Sequence, residues 1–103
     1  MQLTSYGKSI SAGGWDPYGD PETDAGNGDW GLKLTPNACA LTDSAALALN
    51  AHPGDWVKIN LGEGVSMSRQ YLDRAPEENM RCDCYEPNEF IPNRPDYADV
   101  TLM

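Results

Sequence analysis

At 103 residues the chain has room for one domain with a modest core. A 40% hydrophobic and 22% charged composition excludes a disordered chain, and ten glycines with eight prolines exclude long helices in favour of short strands and turns. Sixteen acidic against seven basic residues, net −9, exclude phosphate backbones and anionic lipid surfaces as natural partners, so neither nucleic acid binding nor membrane insertion is expected.

Residues 2–10 carry Leu3, Tyr6 and Ile10 in loose alternation and are expected to form a first strand. Nothing in Met1–Tyr6 combines a basic start with an apolar run, so no secretory signal is expected, and no 18-residue apolar stretch occurs. Residues 12–31 hold six glycines, two prolines and five acids without helical or strand period, and read as one long acidic loop. Residues 32–41 suit a strand broken at Pro36. Thr42-Asp43-Ser44 then caps a short helix over Ala45–Leu49, ended by His52-Pro53-Gly54. Trp56–Leu61 alternates as a half-buried strand, with Trp56 assigned to the core. The Gly62-Glu63-Gly64 turn joins it to a second strand, Val65–Leu72, as a hairpin. Asp73–Asn79 reads as a polar loop, Met80–Tyr85 as a strand, the proline-rich stretch 86–97 as an irregular connection, and Ala98–Met103 as a closing strand.

Metal chemistry has two weak footholds. Alternate acids at Asp20, Glu22 and Asp24 imitate the start of a calcium-binding loop, but Ala25 stands at its obligatory glycine and Gly31 at its bidentate glutamate, so a solvated loop is expected. Cys39, Cys82, Cys84 and His52 are zinc-ligand types without zinc-knuckle spacing. Buried free thiols are the expectation, although a bridge from Cys39 to Cys82 or Cys84 is geometrically open. No metal and no cofactor are expected.

Taken in order, an opening strand with Tyr6-Gly7, the Thr23-Asp24-Ala25-Gly26 loop, the capped helix, Pro53-Gly54-Asp55-Trp56-Val57-Lys58-Ile59, Asp73-Arg74-Ala75-Pro76, Arg81-Cys82-Asp83-Cys84-Tyr85 and Asp99-Val100-Thr101-Leu102 resemble the double-psi β-barrel proteins. That family includes rare lipoprotein A, the three-aspartate domain of lytic transglycosylases, and the expansin and barwin modules. The resemblance spans nearly the whole chain in order, its most specific piece being Asp-Arg-x-Pro followed by Arg-x-Asp. It implies a mainly β domain over 1–103: a small six-stranded double-psi β-barrel with one short helix, the long loop 12–31, and an open groove for polysaccharide across the aspartate-bearing loops.

Carried onto this chain, the three aspartates fall at Asp43, Asp73 and Asp83. Cleavage of a glycosidic bond needs one carboxylic acid to protonate the leaving oxygen and a second carboxylate as base, nucleophile or orienting group. Asp73 is the candidate acid and Asp83 its partner, with Trp15, Trp30, Thr23, Arg74 and Tyr85 as candidate substrate-binding residues. Each also has a structural reading: Asp73 as an ion pair with Arg74, Asp83 as an acceptor of backbone amides, Asp43 as part of the helix cap, and Trp15 and Trp30 as either core or interface. Two departures bear on catalysis, Ala75 standing at the family's glycine and His52 lying in the turn before a strand. The expected partner is a cell-wall glycan, peptidoglycan above all, or neighbouring protein subunits, the chain being a homo-oligomer or part of an assembly. Its expected place is a virion or the cytoplasm rather than the classical secretory route. The expected role is a lytic or binding domain directed at that glycan, and the alternative is a non-catalytic structural subunit of a phage particle or other large assembly.

Overall fold

The computed structural model of the chain describes residues 1–6, 30, 32–76, 79–85 and 95–103. Six strands and one helix occur among them: β1 (Gln2–Tyr6), β2 (Ala38–Leu41), α1 (Asp43–Leu49), β3 (Trp56–Gly62), β4 (Val65–Arg74), β5 (Arg81–Tyr85) and β6 (Asp99–Leu102). The strands form one mixed sheet in the order β1-β5-β2-β4-β3-β6. The mainly β class, the strand number and the single short helix agree with expectation. The sheet is not closed: β1 and β6 do not pair, although an isolated antiparallel bridge between Gln2 and Tyr97 draws its two ends together. Of the long loop 12–31, all but Trp30 lies outside the described residues.

Two parallel pairs, β1 with β5 and β2 with β4, flank the antiparallel pair β2 with β5. Cross-strand partners project from the same side of a sheet. One side therefore gathers Leu3, Cys39, Leu41, Val57, Ile59, Tyr71, Cys82 and Cys84 into the main core cluster, completed by Ala45 and Ala46 of the helix. The three thiols are neighbours there: Cys39 stands opposite Cys84, and all are fully buried. Its hydrogen bond with Cys39, and then burial, hold the Cys82 thiol well above its ordinary value, against an opposing pull from Cys84. All three are free thiols. No set of three or more cysteine, histidine or acidic side chains suited to a metal ion occurs among the described residues. His52 is on the surface, its backbone N–H donating to Asp55 Oδ2 at 2.8 Å.

The structure refines the sequence reading at several points. The Thr35–Asn37 turn, closed by Ala38 N–H donating to Thr35 O at 2.9 Å, delays β2 until Ala38. Asn50, at φ 55°, ends α1 in a left-handed cap before His52 is reached. β4 runs on through Arg74, because pairing to β2 continues past Leu72, so Asp73 is a strand residue and not part of a loop. Trp56 is 41% exposed, whereas Val57 and Ile59 are fully buried. The inward phase of β3 belongs to Val57 and Ile59, which sends Trp56, Lys58 and Asn60 outward and corrects the core assignment of Trp56.

Thr42, fully buried, ties the helix to the sheet. Its hydroxyl oxygen caps α1 by accepting Ala45 N–H at 3.3 Å and also accepts Arg81 N–H at 3.1 Å, while Thr42 N–H donates to Arg81 O at 3.1 Å. Replacing Thr42 by Ala strips both N–H groups of their acceptor and is expected to cost about 1–3 kcal/mol in urea unfolding, with Thr42→Ser keeping most of that stability. The buried thiols are expected to resist a thiol-specific reagent in the native protein and to react, all three, once it is unfolded; rapid labelling of Cys82 under native conditions would contradict this core.

Candidate functional site

The second side of the sheet carries the two candidate aspartates. Thr4 of β1 pairs with Asp83 of β5, Asp83 with Ala40 of β2, and Ala40 with Asp73 of β4. These four residues thus form one row across four strands. Asp73 joins it through an irregularity in β4, where a single step from Cys39 to Ala40 is matched by two steps from Tyr71 to Asp73. Leu72 is the extra residue. Such a bulge reverses the side to which later residues point. Without it, Asp73 would share Tyr71's side and enter the main core.

The row is buried and hydrogen-bonded. Asp73 is 6% and Asp83 2% exposed. Tyr6, two residues beyond Thr4 and therefore on the same side, donates its hydroxyl to Asp73 Oδ2 at 2.9 Å, while Arg74 N–H donates to Asp73 Oδ1 at 2.8 Å. Thr4 donates its hydroxyl to Asp83 Oδ1 at 2.8 Å. Burial, and then the negative charge and hydrogen bond of Asp73 with a further contribution from Asp83, push the Tyr6 phenol far above its ordinary range, so it stays protonated and remains a donor. Two strand spacings set the α-carbons of Asp73 and Asp83 roughly 9–10 Å apart, with only the methyl of Ala40 between them. Tyr85, opposite Tyr6, packs its ring at 5.4 Å and 50° in a second cluster with Leu34, Ala38, Leu72 and Ala75.

Of the expected site residues, Asp73, Asp83 and Tyr85 come together on this side. Arg74 does not join them. Its guanidinium forms a two-point ion pair with Asp43, Nε donating to Oδ1 at 2.9 Å, so the expected Asp73–Arg74 ion pair is replaced by an Arg74–Asp43 pair at the surface. That pair draws Asp43 away from the carboxylate row, and Thr42, not Asp43, caps the helix. Trp30 is 40% exposed and sets its ring edge-on to Tyr71 at 5.1 Å, on the other side of the sheet. Trp15 and Thr23 lie outside the described residues. Sequence reasoning missed Tyr6 and Thr4 as partners of the aspartates. Their i, i+2 spacing in the first strand was the available signal, but which strand faces β5 is not written in that spacing.

Two carboxylates on one row, with a protonated tyrosine from the next row beside them, are the residue types of glycoside chemistry. Here the carboxylates already accept hydrogen bonds from Tyr6 and Thr4 of β1 and from Arg74 N–H, and an acid catalyst must reach the glycosidic oxygen of its substrate. Arrangement and burial suit a polar brace between β1, β5 and β4.

Tyr6→Phe would leave Asp73 Oδ2 without this donor inside the fold, and a loss of about 1–3 kcal/mol in urea unfolding is expected. The Tyr6 pKa is raised in the folded state, so its contribution is complete below the ordinary phenol value near 10 and drains away as pH climbs beyond it. Between pH 9 and about 11 the parent protein should therefore lose more stability than Tyr6→Phe does; parallel curves would show that burial and Asp73 do not hold Tyr6 neutral in the fold. Against known proteins, no family model, no curated protein and no solved structure matches the chain.

Proposed function

We propose that the chain is a double-psi β-barrel domain that binds cell-wall glycan without cleaving it, carried on a virion or another large assembly. Support for the barrel comes from the resemblance in segment order, from six strands with two parallel pairs meeting on an antiparallel one, and from the Gln2–Tyr97 bridge between the sheet's ends. The observation that carries binding over lysis is the carboxylate row: Asp73 and Asp83 are buried and spend hydrogen bonds on Tyr6, Arg74 N–H and Thr4. The ordinary route to a glycoside acid is an exposed or substrate-covered carboxyl in an apolar pocket, which this row does not resemble.

A second reading, the structural subunit, draws on exposed apolar side chains: Leu47 is 83%, Tyr97 70%, Met103 68% and Val65 55% exposed. Such residues serve equally as contacts to neighbouring subunits.

Purified sacculi separate these readings. A binding domain sediments with them and releases no soluble muropeptide on prolonged incubation. Release that disappears in Asp73→Asn would restore the lytic reading, and failure to sediment would leave only the subunit.

A further inference from the structure

The outward side of β6, β3 and β4 combines aromatic with polar side chains. Register sets it out in rows: Trp56 beside Gln70, then Thr101–Lys58–Ser68, then Asp99–Asn60–Ser66. Trp56 is 41% exposed at one end, with Met103 N–H donating to its carbonyl at 3.0 Å. At the other end Tyr97 is 70% exposed and lines a cleft of about 310 Å³ together with Met1, Asn60, Gly62 and Asp99. A second cleft of about 440 Å³ adjoins it, lined by Met1, Lys58, Asn60, Asp99, Val100 and Thr101. Both clefts share Met1, Asn60 and Asp99, so they form a continuous depression where β6 leaves the start of β1.

Two aromatic rings with a polar floor between them are the elements by which proteins hold sugars. The carbon–hydrogen face of a pyranose stacks on an aromatic ring, and its equatorial hydroxyls need donors and acceptors at the edges. Asn60 offers both an acceptor and donors, Lys58 donors, Asp99 acceptors, and Ser66, Ser68 and Thr101 hydroxyls. From Trp56 to Asn60 the strand runs roughly 13 Å, the reach of a short oligosaccharide. Charge selects further: in a chain of net −9, the rows bear one cation, Lys58, and one anion, Asp99, in neighbouring rows and so balance, which suits an uncharged ligand better than an anionic or a strongly basic one. Val57 and Ile59, fully buried on the reverse of β3, hold these outward side chains on a rigid strand.

We infer that the β6-β3-β4 face, from Trp56 to Tyr97, is a binding site for an uncharged glycan chain of equatorially hydroxylated pyranoses. This assignment rests on the glycan-binding reading and places its surface on the same side of the sheet as Asp73 and Asp83 but centred on β3 and β6, while Trp30 packs against Tyr71 on the opposite side.

The test uses the full chain with two probes, purified sacculi and a soluble tetramer of N-acetylglucosamine, read by co-sedimentation and by titration calorimetry. Trp56→Ala and Tyr97→Ala are each expected to weaken binding about tenfold, as loss of a stacking ring does, while Leu47→Ala on the helix, 83% exposed, leaves it unchanged. Both altered side chains are substantially exposed, and an unchanged urea midpoint confirms that folding is intact. Binding that survives both substitutions overturns this face but leaves the glycan reading standing. A parent protein that binds neither probe overturns both. If the parent self-associates and Trp56→Ala makes it monomeric without altering glycan binding, the face belongs to a second copy of the chain and the assignment fails.

Discussion

The bulge at Leu72 is the constraint on which the rest of the second side depends. It admits one extra residue in β4 against the Cys39–Ala40 step of β2 and thereby turns Asp73 away from the thiol-lined core. A carboxylate facing that core would sit among Cys39, Val57 and Ile59, where desolvation without compensating donors is costly. On the other side Asp73 finds Tyr6 and its own neighbour's N–H, so burial is compensated at both oxygens.

The consequence is a link between strands that are not neighbours. In the order β1-β5-β2-β4, the Tyr6–Asp73 hydrogen bond spans β5 and β2. The crossing is open because Ala40, the residue between the two aspartates, carries only a methyl group. Thr4 and Asp83 make the shorter link beside it, from β1 to its immediate neighbour. Parallel pairs are joined by crossovers and not by tight hairpins, so side-chain links of this kind supplement ladders whose ends are far apart in sequence. Thr42 does similar work at the helix, where one hydroxyl oxygen serves both α1 and β5.

With the aspartates occupied in this way, the chemistry available to a ligand moves to side chains the core does not need. On β3 the division is sharp: Val57 and Ile59 are consumed by packing, and Trp56, Lys58 and Asn60 are left outside. Mainly β proteins commonly recognise ligands through such half-used strands, because the buried half supplies rigidity and the exposed half supplies groups at fixed spacing.

Much of this was legible in the sequence. The turn glycines around Glu63, the capped helix after Thr42 and the period-2 pattern of β3 follow from local rules that act within a few residues, and these elements stand where those rules put them. The outward fate of Trp56 was legible too, had the phase been set by Val57 and Ile59, the two β-branched residues of that strand. The resemblance singled out Asp73 and Asp83, and the strand registers set them on one row. What tertiary structure alone decided is what they touch. Their partners Tyr6 and Thr4 lie on a strand 67 and 79 residues away, brought close by parallel pairing whose register no local pattern encodes. Arg74, adjacent to Asp73 in sequence, was carried instead to Asp43, because consecutive strand residues point to opposite sides. Local propensity and alternation determine elements and faces; only the packing of distant strands, and one inserted residue in β4, determines which charged group meets which partner.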